Sequence, residues 1–176
     1  MKHDLWSTPL WHIEGAPQQL VDELYQGAYI AKKNYTSATH SNIGGYQSPN
    51  ILWEEFHPEG IKYVNAIIDN IFKKETDFNI EVQRWWFNIN GKGDWNRPHS
   101  HPGSDFALVL YVTDSDKLLH LLSPFPQRIL ERSADHVNVD AKKGDILIFP
   151  ADIYHYVLPN PREEDRISIS MNLQLS

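Results

Sequence analysis

The sequence contains no cysteine in its 176 residues. Disulfide bridges and zinc–thiolate sites are therefore excluded, and the absence fits an intracellular protein, because disulfides persist in oxidising compartments. Long apolar runs are missing too, since no stretch approaches the roughly 20 apolar residues that a membrane helix needs. The chain also shows no charged-then-apolar leader. We therefore predict a soluble, cytoplasmic protein.

Basic residues are scarce as well. The chain carries 16 Lys and Arg against 23 Asp and Glu, which gives a net charge of −7, and its basic residues form no cluster. A nucleic-acid backbone attracts a basic stripe, so a broad nucleic-acid surface is not expected.

Aromatic residues, in contrast, are abundant, with six Trp and eight Tyr. Such a content suits a packed β-rich core or an aromatic-walled pocket. The length fits one domain with a single core, and no linker or repeat divides the chain. We predict a single domain over 1–176, with a helical support region over 1–79 and a β core over 80–176.

Helical periodicity is confined to the first 75 residues. Pro17 is well placed as a first helical residue, and apolar residues follow it at spacings of three and four: Leu20, Leu24, Ala28, Ala31. Pro58 opens a second helix with an apolar stripe: Ile61, Val64, Ile68, Ile71, Phe72. Between the helices, Ser37–Asn50 is rich in Ser, Thr, Asn and Gly, which predicts a loop with its sharpest turn at Gly44-Gly45.

From Ile80 onward the hydrophobic period changes to two, which indicates strands. The predicted strands are Ile80–Ile89, Phe106–Val112, Leu118–Leu122, a short one at Arg128–Leu130, His136–Val139, Asp145–Phe149, Tyr154–Leu158 and Arg166–Leu175. Short strands after two helices predict an antiparallel sandwich with the helices packed on one outer face.

The last predicted strand has the most regular alternation. Its apolar face consists of Ile167, Ile169, Met171, Leu173 and Leu175, and its polar face of Arg166, Ser168, Ser170, Asn172 and Gln174. A polar face ordinarily points into water. In a small barrel, however, an inward polar face is what a polar ligand requires, and the histidines described next favour that interpretation.

Three histidines and one arginine form a set that could hold a metal ion and a dicarboxylic cosubstrate. His99 and His101 are two residues apart, so in an extended segment they point to the same side. His155 follows 54 residues after His101, and Arg166 eleven residues later. Three imidazoles can hold Fe(II), Zn(II) or another first-row ion. A guanidinium can bind the carboxylate of a dicarboxylic cosubstrate bidentately.

The chain resembles the 2-oxoglutarate- and Fe(II)-dependent oxygenases with a double-stranded β-helix (jelly-roll, cupin-like) core, and is most similar to a small branch found in phages and marine bacteria. The matching stretches are Trp6–Trp11, Ser41–Ser48, Trp86–Asn90, His99–Gly103, Gly144–Pro150, His155 and Arg166–Asn172. The resemblance covers nearly the whole chain, and the block from His99 to Asn172 is its specific part.

The resemblance implies a role for each matching residue. His99 and His155 would bind Fe(II), and His101 stands where the family usually has a carboxylate. Arg166 and Ser168 match the Arg-x-Ser pair that holds the distal carboxylate of 2-oxoglutarate. Tyr111 matches a tyrosine that often hydrogen-bonds the same carboxylate in prolyl-hydroxylase relatives. Asn88 and Asn172 are candidates for amides that line the pocket. The implied reaction hydroxylates a substrate C–H bond and releases succinate and CO2.

His101 is a departure from the family pattern of His-x-Asp or His-x-Glu. An imidazole there removes one negative charge from the metal site. Asp94 or Asp105 could supply a carboxylate instead, but neither has the same register, and a site of two histidines also stays open. Iron-dependent halogenation is disfavoured, because in relatives it needs a small residue where this chain has the bulky His101.

Two other interpretations remain open. A three-histidine dioxygenase of cupin type, which does not use 2-oxoglutarate, would explain His101 but leave Arg166 without a role. A non-catalytic jelly-roll binding module would carry a vestigial or zinc-filled site.

The substrate could be an amino acid, a protein side chain, a nucleotide or a lipid, and a homodimer is compatible with the sequence. Candidates for the walls of the active site are the aromatic residues Trp85, Trp86 and Trp95. The candidate for its lid is the loop Ser37–Asn50.

Overall fold

The computed structural model describes residues 8–50, 58–75, 79–124 and 136–176. Two helices occur in this part of the chain, α1 (Gln18–Asn34) and α2 (Pro58–Glu75). The strands are β1 (Trp11–Ile13), β2 (Asn42–Ile43), β3 (Tyr46–Gln47), β4 (Ile80–Asn90), β5 (Trp95–His99), β6 (Phe106–Tyr111), β7 (Leu119–Leu122), β8 (His136–Asn138), β9 (Ile146–Pro150), β10 (His155–Val157) and β11 (Arg166–Leu175). The predicted strand at Arg128–Leu130 lies outside the described residues.

The strands form two antiparallel sheets. One has the order β1-β9-β6-β11-β4-β3, and the other the order β2-β5-β10-β7-β8. Strands that are distant in the chain lie side by side, as in β11 between β4 and β6. This arrangement confirms the predicted double-stranded β-helix, a mainly β fold with helices from the N-terminal part.

Two separate apolar layers hold the fold together. Helix residues such as Leu24 and Ile68 pack against the outer face of the six-stranded sheet, where Phe87 and Ile169 are fully buried. A second cluster fills part of the space between the sheets and includes Tyr111 and Phe149. The described helices therefore pack on the six-stranded sheet, as predicted, and the space between the sheets stays available for polar side chains.

Strand β11 shows how the sequence divides between these layers. Ile167, Ile169, Met171 and Leu173 belong to the cluster beneath the helices. The alternate residues Arg166, Ser168 and Ser170 line a cavity between the sheets. The polar face of the strand is therefore inward, which confirms the interpretation that the histidines favoured.

Four strands in the structure were not predicted. Strands β1, β2 and β3 have two or three residues each and lie before residue 79, yet they join the sheets. The predicted loop Ser37–Asn50 thus contains β2, which pairs with β5, and β3, which pairs with β4. The turn at Gly44-Gly45 is present, with positive φ at both residues. The segment therefore crosses from one sheet to the other. The division of the domain at residue 79 stays a prediction.

The fourth strand is β5, where the sequence indicated only a turn-rich segment. It pairs with β2 on one side and β10 on the other.

One helix boundary also differs from expectation. Pro17 is the N-cap of α1, with φ −52° and ψ 131°, and not its first helical residue. That extended ψ keeps Pro17 outside the helical region, so the helix begins at Gln18. Within the part of the chain described, no helix is long and apolar enough to cross a membrane.

The turn between β2 and β3 provides a stability test. A Cβ at Gly45 would lie 2.8 Å from the backbone oxygen of Ile89, and φ there is +62°. Gly45→Ala should therefore lower the free energy of unfolding by about 2 kcal/mol or more, from backbone strain plus a contact with rigid backbone. Gly93 is the matched control, because its φ is +82° and nothing lies within 4 Å of the position that a Cβ would take there.

Gly93→Ala should cost only the strain, about 1 kcal/mol. Urea unfolding of both variants measures the difference. Equal losses of stability would show that the close approach of Gly45 to β4 has no energetic consequence.

Candidate active site

The three predicted ligands come together where β5 meets β10. His99 ends β5, His155 begins β10, and the two are direct antiparallel partners. His101 lies in the turn after β5, which is held because its backbone N–H donates to the carbonyl of Ala151 at 2.8 Å. The ring centroids of His99 and His155 are 4.3 Å apart, and those of His101 and His155 are 5.0 Å apart.

Backbone carbonyls determine which ring nitrogens are available for a metal. Nδ1 of His99 lies 2.8 Å from the carbonyl oxygen of Arg97, and Nδ1 of His155 lies 2.8 Å from that of Ile153. Because a carbonyl can only accept, both Nδ1 atoms carry the proton and donate. The lone pair of each ring is therefore on Nε2. This is the outer hydrogen bonding that orients metal-binding histidines in proteins.

The spacing of the nitrogens fits a single ion. Potential ligand atoms of the three histidines all lie within 4.8 Å of one another. Nε2 of His101 and Nε2 of His155 are 3.2 Å apart. Two nitrogens bound at about 2.1 Å to one ion lie roughly 3 Å apart, so this pair already has the separation of neighbouring ligands. The donor set therefore fits a first-row divalent ion.

Burial keeps these imidazoles neutral. It lowers the pKa of His155 to about 3, with a further contribution from the neighbouring His99. Burial likewise lowers the pKa of His101 to about 4, and that of His99 is lowered for the same leading reason. A metal needs deprotonated ligands. At neutral pH all three rings are consequently ready to bind without first losing a proton.

The two carboxylates considered as replacements for His101 are engaged elsewhere. Asp94 accepts a hydrogen bond from the backbone of Gly91 at 2.9 Å. Asp105 accepts from the backbone N–H of Leu175 at 2.8 Å and from the side chain of Gln174. Among the described residues, neither aspartate belongs to the potential metal group. The structure thus offers an all-imidazole ligand set.

A buried cation lies in the same cavity as the histidines. Arg166 begins β11, is 5% exposed and lines this cavity together with Ser168 and Tyr111. Its guanidinium carbon is 5.6 Å from the ring centroid of Tyr111. In the described part of the chain, no carboxylate forms an ion pair with Arg166, and its Nε has no hydrogen-bond partner. An unpaired buried charge is costly, so this position calls for an anion.

Tyr111 and Ser168 complete the surroundings of that cation. The two residues are direct partners on β6 and β11, and Asn88 is the partner of Ser168 on β4. The hydroxyl of Tyr111 is buried and lies within reach of the Arg166 guanidinium. Burial raises the pKa of the Tyr111 phenol, although the nearby Arg166 charge opposes the shift. Tyr111 therefore keeps its proton and can donate to an anion.

Comparison with known proteins agrees with this geometry. A family model described as 2OG-Fe(II) oxygenase matches residues 84–172, which is half of the chain. The chain belongs to this family. It is therefore a 2-oxoglutarate- and Fe(II)-dependent oxygenase, as the resemblance implied. A comparison with curated protein sequences found no match.

Several solved structures have the same fold. A prolyl-4-hydroxylase from Pseudomonas putida aligns with a TM-score of 0.68 and 15% identity, over 96% of this chain and 93% of that one. A viral collagen prolyl hydroxylase from Paramecium bursaria Chlorella virus-1 gives 0.65 and 14%, over 93% and 94%. HygX from Streptomyces hygroscopicus, solved with nickel and 2-oxoglutarate bound, gives 0.67 and 11%, over 95% and 83%. At these identities the likeness concerns the fold alone.

The remaining predicted site residues of the oxygenase divide between two cavities. Asn88 lines the inner cavity, where its side-chain amide donates to the hydroxyl of Ser170 at 3.0 Å. Asn172 instead lines a wider outer cleft together with His99 and His101. Six residues of extended strand separate Asn172 from Arg166, a distance of about 20 Å. We therefore assign Asn172 to the outer cleft.

Sequence reasoning missed several wall residues. Asn96 and Ser41 line the inner cavity and are linked by a hydrogen bond of 3.2 Å, while Asn90 donates to Asn96 at 3.0 Å. Only the pairing of β2 with β5 brings Ser41 and Asn96 together, and neither strand was predicted. Of the proposed aromatic walls, Trp86 lines both cavities, whereas Trp85 packs against Phe87 in the helix-covered core.

Proposed function

We propose that this oxygenase hydroxylates a C–H bond of its substrate at an iron held by His99, His101 and His155. The support comes from the clustered ring nitrogens of the three histidines, the carbonyl-bound Nδ1 atoms of two rings, and the absence of a competing carboxylate among the described residues. When bound, Fe(II) with 2-oxoglutarate supplies the oxidising power, using O2 and releasing succinate and CO2.

The residues of the chain then have distinct tasks. Arg166 binds the distal carboxylate of 2-oxoglutarate, with Tyr111 donating a hydrogen bond and Ser168 lying beside them. Asn88 and Ser170, hydrogen-bonded to each other, form the polar wall next to this group. The surrounding β-helix shields the inner part of the site, where His155 and Arg166 are buried, which helps to protect a reactive centre from side reactions.

The buried guanidinium of Arg166, which has no carboxylate partner among the described residues, carries this proposal. A cupin-type dioxygenase that does not use 2-oxoglutarate leaves that buried cation without a role, and the family match argues against a non-catalytic binding module. A cytoplasmic location stays a prediction, and a homodimer stays compatible with the sequence.

Isotope incorporation tests the proposed reaction. The protein is incubated with Fe(II), 2-oxoglutarate and ¹⁸O2, and succinate is analysed by mass spectrometry. Turnover should give succinate with one ¹⁸O atom, even at the slow rate expected without the prime substrate. Iron-bound protein that forms no labelled succinate would favour the cupin-type alternative.

Tyr111→Phe is expected to weaken 2-oxoglutarate binding by about tenfold, because a hydrogen bond to a charged group is lost.

A further inference from the structure

The outer cleft of the oxygenase has an unusual charge for this chain. It has a volume of about 520 Å³, a size typical of small-molecule sites, and it opens beside His99 and His101. Although the chain carries a net charge of −7, no acidic residue belongs to the lining that the structure describes. Two arginines do, Arg84 and Arg97. The cleft is therefore a local positive region on an acidic protein.

The arginines approach the cleft from different sheets. Arg84 lies on β4, directly opposite Asn172 of β11. Arg97 lies on β5, and its guanidinium donates to the carbonyl of His40 at 2.5 Å, which fixes it at the rim. In the described part of the structure, neither forms an ion pair with a carboxylate. Their charges are thus available to an incoming molecule.

Two shielded oxygens in the cleft lack donors. Oε1 of Gln47 and Oδ1 of Asn172 are buried, and within the described residues neither accepts a hydrogen bond. Leaving such atoms unsatisfied costs free energy, so each favours a ligand that brings an N–H or O–H group. Trp86 adds an aromatic wall, with its ring centroid 5.6 Å from that of His101.

From this juxtaposition we propose that the prime substrate is a small molecule with a carboxylate or phosphate group and at least one N–H or O–H donor. Arg84 and Arg97 bind the anionic group, while Gln47 and Asn172 accept from the donor. Trp86 then holds the apolar part of the molecule next to the three histidines. This assignment of a substrate class rests on the proposed function, since it places the reacting C–H bond at that metal centre.

Matched pairs of probes test the proposal. Anaerobic protein saturated with Fe(II) and 2-oxoglutarate is titrated calorimetrically with hydroxy and amino carboxylates of three to eight carbons, each beside its amide. Sugar phosphates, each beside the free sugar, form the second arm. The anionic member of at least one pair should bind about tenfold or more tightly than its neutral partner, and the arm in which this occurs distinguishes carboxylate from phosphate.

Variants locate the binding. Arg84→Gln and Arg97→Gln should each lower the affinity for the anionic probe that binds selectively by about tenfold or more, because each removes a charged hydrogen-bond donor. Lys33→Gln, an equal loss of charge on the exposed side of α1, should leave the affinity unchanged. Equal binding of anionic and neutral probes throughout, or wild-type affinity in both arginine variants, would overturn the proposal.

The absorption of the Fe(II)–2-oxoglutarate complex is recorded in the same samples. It should persist in Arg84→Gln and in Arg97→Gln, because His99 is oriented by the backbone carbonyl of Arg97, which the substitution does not remove. Loss of anion selectivity with this absorption intact would refute the substrate class alone. An absence of the absorption in wild-type protein would instead refute the proposed function.

Discussion

Arg166→Met should weaken 2-oxoglutarate binding by about 30-fold to several thousandfold without lowering the stability of the apoprotein. Removing one partner of a buried, hydrogen-bonded charge pair costs about 2–5 kcal/mol of binding free energy. In the ligand-free protein, however, Arg166 is 5% exposed and has no carboxylate partner among the described residues. Replacing such a charge by an apolar side chain of similar length removes the cost of its desolvation, so the stability should not fall.

Calorimetry with the metal-loaded protein measures the first effect, and urea unfolding of the apoprotein measures the second. Arg162→Met is the matched control, because Arg162 is exposed and pairs with Asp116 at the surface. It should change neither quantity by more than about 0.5 kcal/mol. An Arg166→Met protein that is clearly less stable yet binds 2-oxoglutarate normally would show that this arginine has only a structural role.

Substitutions should show whether a histidine binds the metal ion or only lies beside it. His155→Ala removes one of three nitrogens, so the affinity for Fe(II) should fall by more than the roughly 10–100-fold that loss of an outer partner of a ligand costs. His101→Asp should retain the metal, because a carboxylate is also a suitable ligand. It adds a negative charge at the centre, and the affinity for the 2-oxoglutarate dianion should therefore fall.

The His101→Asp variant should also move the absorption of the Fe(II)–2-oxoglutarate complex to longer wavelength, since an anionic ligand makes the iron more electron-rich. His101→Ala provides the comparison without a ligand. If all three proteins, wild type, His101→Asp and His101→Ala, gave the same absorption and the same Fe(II) affinity, His101 would lie off the metal, and the site would contain only two histidines.

The sequence predicted the parts of this site that depend on local pattern. The alternation along β11 placed Arg166 and Ser168 on one face, and the structure puts that face inside. The i, i+2 spacing of His99 and His101 likewise needed only extended backbone. No local periodicity connects His155 with His99 and His101. It was included in the predicted site because the resemblance to the oxygenase family implied it as a ligand.

Other parts depend on tertiary pairing and left no local signal. Strands of two residues such as β2 and β3 have too few residues for a periodic pattern, and they exist because β5 and β4 bind them. Strand β5 was also not predicted because it contains Pro98, and proline ordinarily argues against a strand. The arginines of the outer cleft look in the sequence like ordinary solvated side chains. Only the folded register places Arg84 opposite Asn172.

One measurement tests the central claim most directly. Apoprotein is titrated without oxygen, first with Fe(II) and then with 2-oxoglutarate, while the visible absorption is recorded. The account predicts a weak charge-transfer band that requires both additions and disappears in His155→Ala and, at moderate 2-oxoglutarate concentrations, in Arg166→Met. A protein that binds Fe(II) but gives no band with 2-oxoglutarate, or whose band is unaffected by either substitution, would contradict it.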